Sequence, residues 1–277
     1  MAVLVAVLSP RAQTATIDDW QLYAAHRARF TAAVRAQLAR PGGRLCVLGA
    51  GACNDLDLAA LAGDAAFAEI HLVDLDGKAL ARAVARPEAA VRARLHRHGD
   101  VDLSGLSARR LARWRRAPPD AAELEEVAGA TLDGLIARLP GPFDVVVSAC
   151  VMTQMAFALR EALGDRHPTL EAARHALLRT HLSTLVSLTA EGGTALFASD
   201  VVSSNFYPLD ELPPDADLAR VLDDVVAKGA AYYAANPTVV RPILAEVGTP
   251  ELLPPWLWTG PLARTYLVYA LRVQLED

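Results

Sequence analysis

A short apolar run that breaks into Gly49-Ala-Gly51, followed 25 residues after Gly49 by Asp74 at the end of a second apolar run, constrains this chain more than any other feature. Arg44-Leu-Cys-Val-Leu48 is predicted as a strand, Asp55 to Leu61 as a helix, Glu69 to Asp74 as a second strand and Lys78 to Arg86 as a second helix. Strand, glycine bend, helix and strand make a βαβ unit, which demands parallel strands and a right-handed crossover. Glycines at the carboxyl end of a strand let the backbone approach a ligand, because a Cβ there would occupy the ligand's volume. An acid ending the second strand can accept hydrogen bonds from both hydroxyls of a ribose. An adenosine-type ligand is the expectation.

Downstream, Arg94 to His98, Phe143 to Ser148 and Thr194 to Ser199 read as further strands, with a long helix from Glu171 to Ala190 and a Gly192-Gly193 turn before the fifth. Such alternation predicts a parallel sheet covered on both faces. Trp256-Leu-Trp258 and Arg264 to Val273, separated by Thr-Gly-Pro, read instead as an antiparallel hairpin. Ahead of the first strand, Trp20, Tyr23, Phe30, Val34 and Leu38 recur at near-helical spacing from Asp18 to Arg40, and Pro41-Gly42-Gly43 stops the run. The expected class is therefore doubly wound α/β. Residues 1–43 form an N-terminal helical cap and 44–277 one domain with insertions at about 104–140 and 201–255.

From about Arg44 to the C-terminus the chain resembles the class I S-adenosylmethionine-dependent methyltransferases. The resemblance lies in Val47-Leu-Gly-Ala-Gly-Ala-Cys53, His71-Leu-Val-Asp-Leu-Asp76, His98-Gly-Asp-Val-Asp-Leu103, Phe143-Asp-Val-Val-Val-Ser148 and Gly192-Gly-Thr-Ala-Leu-Phe197, in that family's order. It implies a seven-stranded, mostly parallel sheet whose last strand is antiparallel, S-adenosylmethionine as cofactor, and a leading helix with Tyr23 and His26 acting as a lid. It further implies Gly49, Ala50 and Gly51 beside the methionine moiety, Asp74 with Leu75 on the ribose, and the Gly99-Asp100-Val101 turn beside adenine. Asp100 would accept from the adenine amino group and the Val101 amide would donate to the ring, with Asp102 as substitute acceptor. Ser148, Ala149 and Cys150 would floor the pocket beside the methyl group.

Two positions depart from that pattern. The usual acid two residues before the first glycine is Val47, and the usual third glycine is Cys53, so Asn54, Asp55 or Tyr23 is expected to take over the ligand's amino group. A sulfonium methyl is already activated, so such an enzyme needs to hold a nucleophile in line and exclude water. His26, His98, Gln154 and Tyr207 are the candidate catalytic residues, and Asp200 with Ser203-Ser-Asn-Phe-Tyr207 lies where this fold receives its acceptor. Tyr232-Tyr233 is expected in a helical run packed on the sheet. A nicotinamide dehydrogenase shares the GxG and the acid, but its third glycine is Asn54 here. A catalytically silent binding or scaffold protein is the third reading, since fold does not fix chemistry.

The acceptor is expected to be a small molecule or peptide. A net charge of −5 opposes bulk attraction to nucleic acid or anionic membrane. Arg109-Arg-Leu-Ala-Arg-Trp-Arg-Arg116 reads as a solvated helix with Leu111 and Trp114 turned inward, followed by Glu123, Glu125 and Glu126. Cys46, Cys53 and Cys150 have neither disulfide nor zinc spacing, so no metal is expected and a reducing cytoplasm is. MAVLVAVLSP lacks the charge and cleavage pattern of a signal peptide. Only two of the 27 basic residues, Lys78 and Lys228, are lysine, a bias expected of GC-rich bacterial coding.

Overall fold

A computed structural model describes residues 20–63, 66–260 and 264–276. The opening MAVLVAVLSP, Asp18 and Pro261 of the expected hairpin turn lie outside them. Strands β1 (Gly43–Leu48), β2 (Phe67–Val73), β3 (Leu95–His98), β4 (Phe143–Ala149), β5 (Thr189–Ser203), β6 (Glu251–Gly260) and β7 (Arg264–Gln274) form one sheet in the order β3-β2-β1-β4-β5-β7-β6. β1 to β5 run parallel, and β7 is antiparallel to both β5 and β6. This is the sheet that the resemblance implies. The order reverses between β1 and β4, so the carboxyl ends of those two strands open the crevice in which an open α/β sheet binds its ligand.

Central strands explain their own composition. Cys46, Leu48 and Val146 face one buried cluster, while Leu45, Val47, Val145 and Val147 face the other, so β1 and β4 are apolar on both sides. Helices α1 (Ala24–Arg35), α2 (Leu58–Ala62), α3 (Gly77–Ala85) and α4 (Ala89–Arg92) precede β3; α5 (Ala108–Trp114) and α6 (Ala121–Arg138) fill the first insertion. α7 (Met152–Leu163) and α8 (Leu170–Ser187) join β4 to β5; α9 (Leu218–Ala227) and α10 (Pro237–Leu244) lie in the second insertion. Caps set several starts: Asp57, Asp76, Ser107, Asp120, Asp217 and Asn236 each accept a backbone N–H of the helix they precede. No helix among the described residues is long and apolar enough to cross a membrane.

The structure corrects several boundaries. The leading helix occupies Ala24–Arg35 rather than the whole stretch to Arg40. The long helix stops at Ser187, and Gly192-Gly193 falls inside β5, where Gly193 packs against the Ala190 and Asp144 carbonyls, instead of preceding the strand. Pro254 and Pro255 belong to β6, which tolerates them because it is an edge strand with a register shift between Leu253 and Trp256. Tyr232 and Tyr233 are not helical beyond the short 3₁₀ turn Tyr233–Ala235.

The leading helix is more than a cover. Phe30 and Val34 are fully buried in the same cluster as Val47, Val147 and Trp256, so α1 completes one face of the sheet. Removing it would expose that face. Phe30→Ala should lower the unfolding free energy by about 3–5 kcal/mol with an unchanged denaturant slope. Urea unfolding measures this, and a loss under about 1 kcal/mol would show that α1 is peripheral.

Candidate functional site

The crevice is built from the bend after β1. Gly49 and Ala50 both donate backbone N–H groups to the Val73 carbonyl, fixing the bend to the end of β2. Gly49 has φ +78°, and a Cβ there would fall 2.3 Å from the Val151 Cβ, so this glycine is required by packing. Gly51 differs: with φ +50°, a Cβ on it would meet only Asp74 Oδ2, at 4.0 Å. Its outer side is open. The Gly51 N–H donates to Asp74 Oδ2 at 2.8 Å and the Asp76 N–H to Oδ1 at 2.8 Å. Burial pushes the Asp74 carboxyl upward, and these N–H donors oppose that shift.

Backbone strain gathers at the same edge. Among the described residues the non-glycine positions with positive φ are Cys53 (+50°), Asp100 (+55°) and Cys150 (+49°), which follow β1, β3 and β4 respectively. Such conformations persist only where the surroundings over-determine them, and they cluster at ligand sites. The Asp100 turn is braced from outside, since Arg138 donates to the Gly99 and Asp100 carbonyls at 2.8 Å each.

Above the bend lies a stitched N-terminal segment. Trp20 is stacked between the guanidinium groups of Arg27 and Arg86, 3.4 Å and 4.2 Å from its ring centre. Arg27 also donates to the Trp20 and Asn54 carbonyls, while Arg86 donates to Asn54 Oδ1 at 3.1 Å and to the Ala52 and Cys53 carbonyls. His26 is buried. It accepts from Trp256 Nε1 at 2.9 Å through Nδ1, which places its proton on Nε2, facing Asp55 Oδ1 at 3.2 Å. Tyr23 and His26 both lie against Trp258, at ring distances of 5.0 and 4.8 Å.

The fourth wall is the end of β5. Asp200 is 7 % exposed and accepts from Thr153 Oγ1 at 2.7 Å. Burial raises its carboxyl to about 7; the Thr153 hydroxyl and His26 oppose the shift and Asp55 adds to it. The field of Asp200 reaches Cys150, Tyr232, Tyr266 and Tyr269. Burial lifts the Cys150 thiol far above its usual range and the Cys53 thiol to about 12, so neither is a thiolate nucleophile.

Several expected site residues are engaged elsewhere. The Val101 N–H donates to the Asp74 carbonyl at 3.2 Å, which removes it as the adenine donor. Asp102 Oδ1 is taken by the Ser104 N–H and hydroxyl. The Ser148 hydroxyl points into the core, 2.7 Å from His181 Nε2, and Ala149 is buried beside the other face. Gln154 is exposed and reaches back to the Cys150 carbonyl at 3.3 Å. His98 is bonded to His71 at 3.0 Å, on the outer strands. The Tyr207 hydroxyl donates to Asp224 on α9, which is paired with Lys228. Asn54 is held by Arg86. The structure brings together Tyr23, His26, Gly49, Ala50, Gly51, Asp55, Asp74, Leu75, Asp100 and Cys150 around the crevice edge.

The residues that sequence reasoning missed are Trp20, Arg27, Arg86, Thr153, Trp258 and Tyr266, which join the crevice from five separate segments. Only the placement of Thr153 one turn after β4 signalled its role. Trp114 is 1 % exposed and bonded to Glu123, so the arginine-rich helix offers no ring for stacking on a base. Away from the crevice, Glu69, His71 and His96 lie within reach of one ion, but Arg44 already pairs with Glu69 at 2.9 Å.

No protein-family model matches the chain, and no curated protein matches it. Among solved structures, the chain is similar to an O-methyltransferase from Bacillus cereus crystallised with SAH (11 % identity, 99 % of this chain and 91 % of that one, TM-score 0.47). It is also similar to magnesium protoporphyrin IX methyltransferase from Synechocystis PCC 6803 with bound SAH (16 %, 91 % and 82 %, TM-score 0.42). A third is a putative S-adenosyl-L-methionine-dependent methyltransferase from Methanococcus maripaludis (12 %, 96 % and 93 %, TM-score 0.46). Every one of these TM-scores is below 0.5, and the functional reading rests instead on the strand order and the crevice.

Asp200 makes a testable contribution to stability. Burial holds its folded pKa at about 7, above the ordinary carboxyl value of 3.8, so the folded state holds the extra proton between those values. Stability is therefore lost as pH rises from about 4 to about 7. His181, lowered by burial to about 4, acts in the opposite sense below pH 6.5 and is common to wild type and variant. Asp200→Asn should stabilise the protein by about 2–3 kcal/mol more at pH 8 than at pH 5. Urea unfolding at the two pH values checks this; equal gains would mean that Asp200 is ionised in the fold throughout.

Proposed function

We propose that the protein is an S-adenosylmethionine-dependent methyltransferase that acts on a small-molecule acceptor. The observation that carries this is the clamp of Gly51 by Asp74, at the switch point between β1 and β4, with open space on the outer side of Gly51. The Asp74 carboxylate accepts backbone N–H groups from Gly51, Asp76 and Leu75, and a carboxylate has about four acceptor positions, so it can still receive a ribose hydroxyl. Asp100, on its strained turn, is the acceptor offered to the adenine amino group. Asp55, whose Oδ1 faces His26 Nε2 at 3.2 Å beside the bend, is the acid offered to an amino-acid ammonium, since Val47 stands at the family's usual acidic position. These residues fit the ligand.

The bound cofactor supplies a methyl group already activated on a sulfonium. The chain's own residues orient the partners and keep water out. The Trp20, Arg27 and Arg86 stack closes the crevice above the bend, and Trp256 with Trp258 anchors the closing helix to the hairpin. Asp200 is the group placed to hold a proton at the acceptor side. None of this requires a thiolate or a metal ligand set.

Calorimetric titration with S-adenosylmethionine, S-adenosylhomocysteine and NADH in parallel tests the reading. The two sulfur nucleosides should bind and, at about 100 times Kd, add roughly 2.7 kcal/mol of stability, whereas NADH should add none. Asp74→Ala should weaken both nucleosides at least tenfold. Stabilisation by NADH alone, or unchanged affinity in the variant, would reject it.

A further inference from the structure

We propose that the wall formed by Asp200, Tyr232, Tyr266 and Trp258 is a binding site for an organic ammonium group, with Asp200 as its counter-ion. This names the acceptor class of the crevice and rests on the methyltransferase reading. The first ground is charge. Asp200 is buried at the end of β5 and, among the described residues, has no ion-pair partner. Its strongest charged neighbours are His26 and Asp55, and those two already face each other. Arg264 bonds the Tyr266 hydroxyl instead. A buried carboxylate without a cation is costly, and a ligand that brings the positive charge relieves the cost.

Aromatic surface is the second ground. Trp258 and Tyr266 are stacked at 5.0 Å, and Tyr232 is met edge-on by Phe157 at 5.3 Å and Phe206 at 6.0 Å. Phe206 is 66 % exposed and Phe157 37 %, so this aromatic rim faces solvent while the acid lies behind it. Ring faces around an organic cation attract it through their quadrupoles, and Trp is the best of them. A carboxylate or a phosphate would meet the like charge of Asp200 here.

The same arrangement has a chemical consequence. A primary or secondary ammonium seated on Asp200 can pass its N–H proton to the carboxylate, leaving a neutral amine with a free lone pair and a carboxylic acid. No other reactant is needed for that transfer. The groups facing Asp200 that also titrate or carry charge are His26, Asp55, Cys150, Tyr232, Tyr266 and Tyr269.

The test uses choline and its neutral carbon counterpart 3,3-dimethylbutan-1-ol, titrated calorimetrically into the full chain at pH 8 without any nucleoside. Choline should bind at least tenfold more tightly than the alcohol. In Asp200→Asn that preference should fall below about threefold, while Asp224→Asn, a surface acid on α9, should keep it. Equal binding of the two probes, no binding of either, or a preference that survives Asp200→Asn would overturn the proposal. Loss of nucleoside binding with the choline preference intact would reject the methyltransferase reading alone, so the two failures are distinguishable.

Discussion

The bend after β1 and the end of β2 are held to each other by one carboxylate. Asp74 accepts the Gly51 and Asp76 N–H groups at once, and its own carbonyl accepts from Val101, so three crevice-edge segments, after β1, β2 and β3, converge on a single residue. Burial pushes this carboxyl upward, and the backbone donors offset part of that cost to its charged form. Removing it would unfasten the turn that shapes the crevice as well as the side chain offered to the ligand. Position and chemistry cannot be separated at this residue.

Closure of the crevice depends on the two ends of the chain meeting. α1 reaches the C-terminal hairpin through the Trp256 to His26 hydrogen bond, and it reaches the glycine bend through Arg27 and the Thr31 hydroxyl that accepts the Asp57 N–H. Phe30 and Val34 add the apolar share. The resulting cover is part of the core.

The fold was legible because parallel strands buried on both faces leave apolar runs, and the runs from Arg44, Glu69 and Phe143 all became strands in the expected sheet. The acid and glycines of the crevice were legible for the same reason: they sit at strand ends, where local sequence and topology coincide. What was not legible came from long-range contacts. Nothing near Ser148 shows that its hydroxyl is spent on His181, 33 residues away, or that Tyr207 turns to Asp224. Arg27 and Arg86 meet through Trp20 and Asn54, residues from separate segments of the chain. Gly192-Gly193 misled by composition, because within β5 Gly193 serves close packing and Gly192, at φ +67°, a bend inside the strand rather than a turn before it.

The central claim is that the Asp74-clamped bend seats an adenosine-bearing ligand. A crystal structure of the chain soaked with S-adenosylhomocysteine tests it most directly. The account predicts ribose oxygens within hydrogen-bond distance of both Asp74 carboxylate oxygens and ligand atoms packed over Gly51. Density for the nucleoside at any other place on the sheet, or an Asp74 side chain turned away from a ligand bound in the crevice, would contradict it.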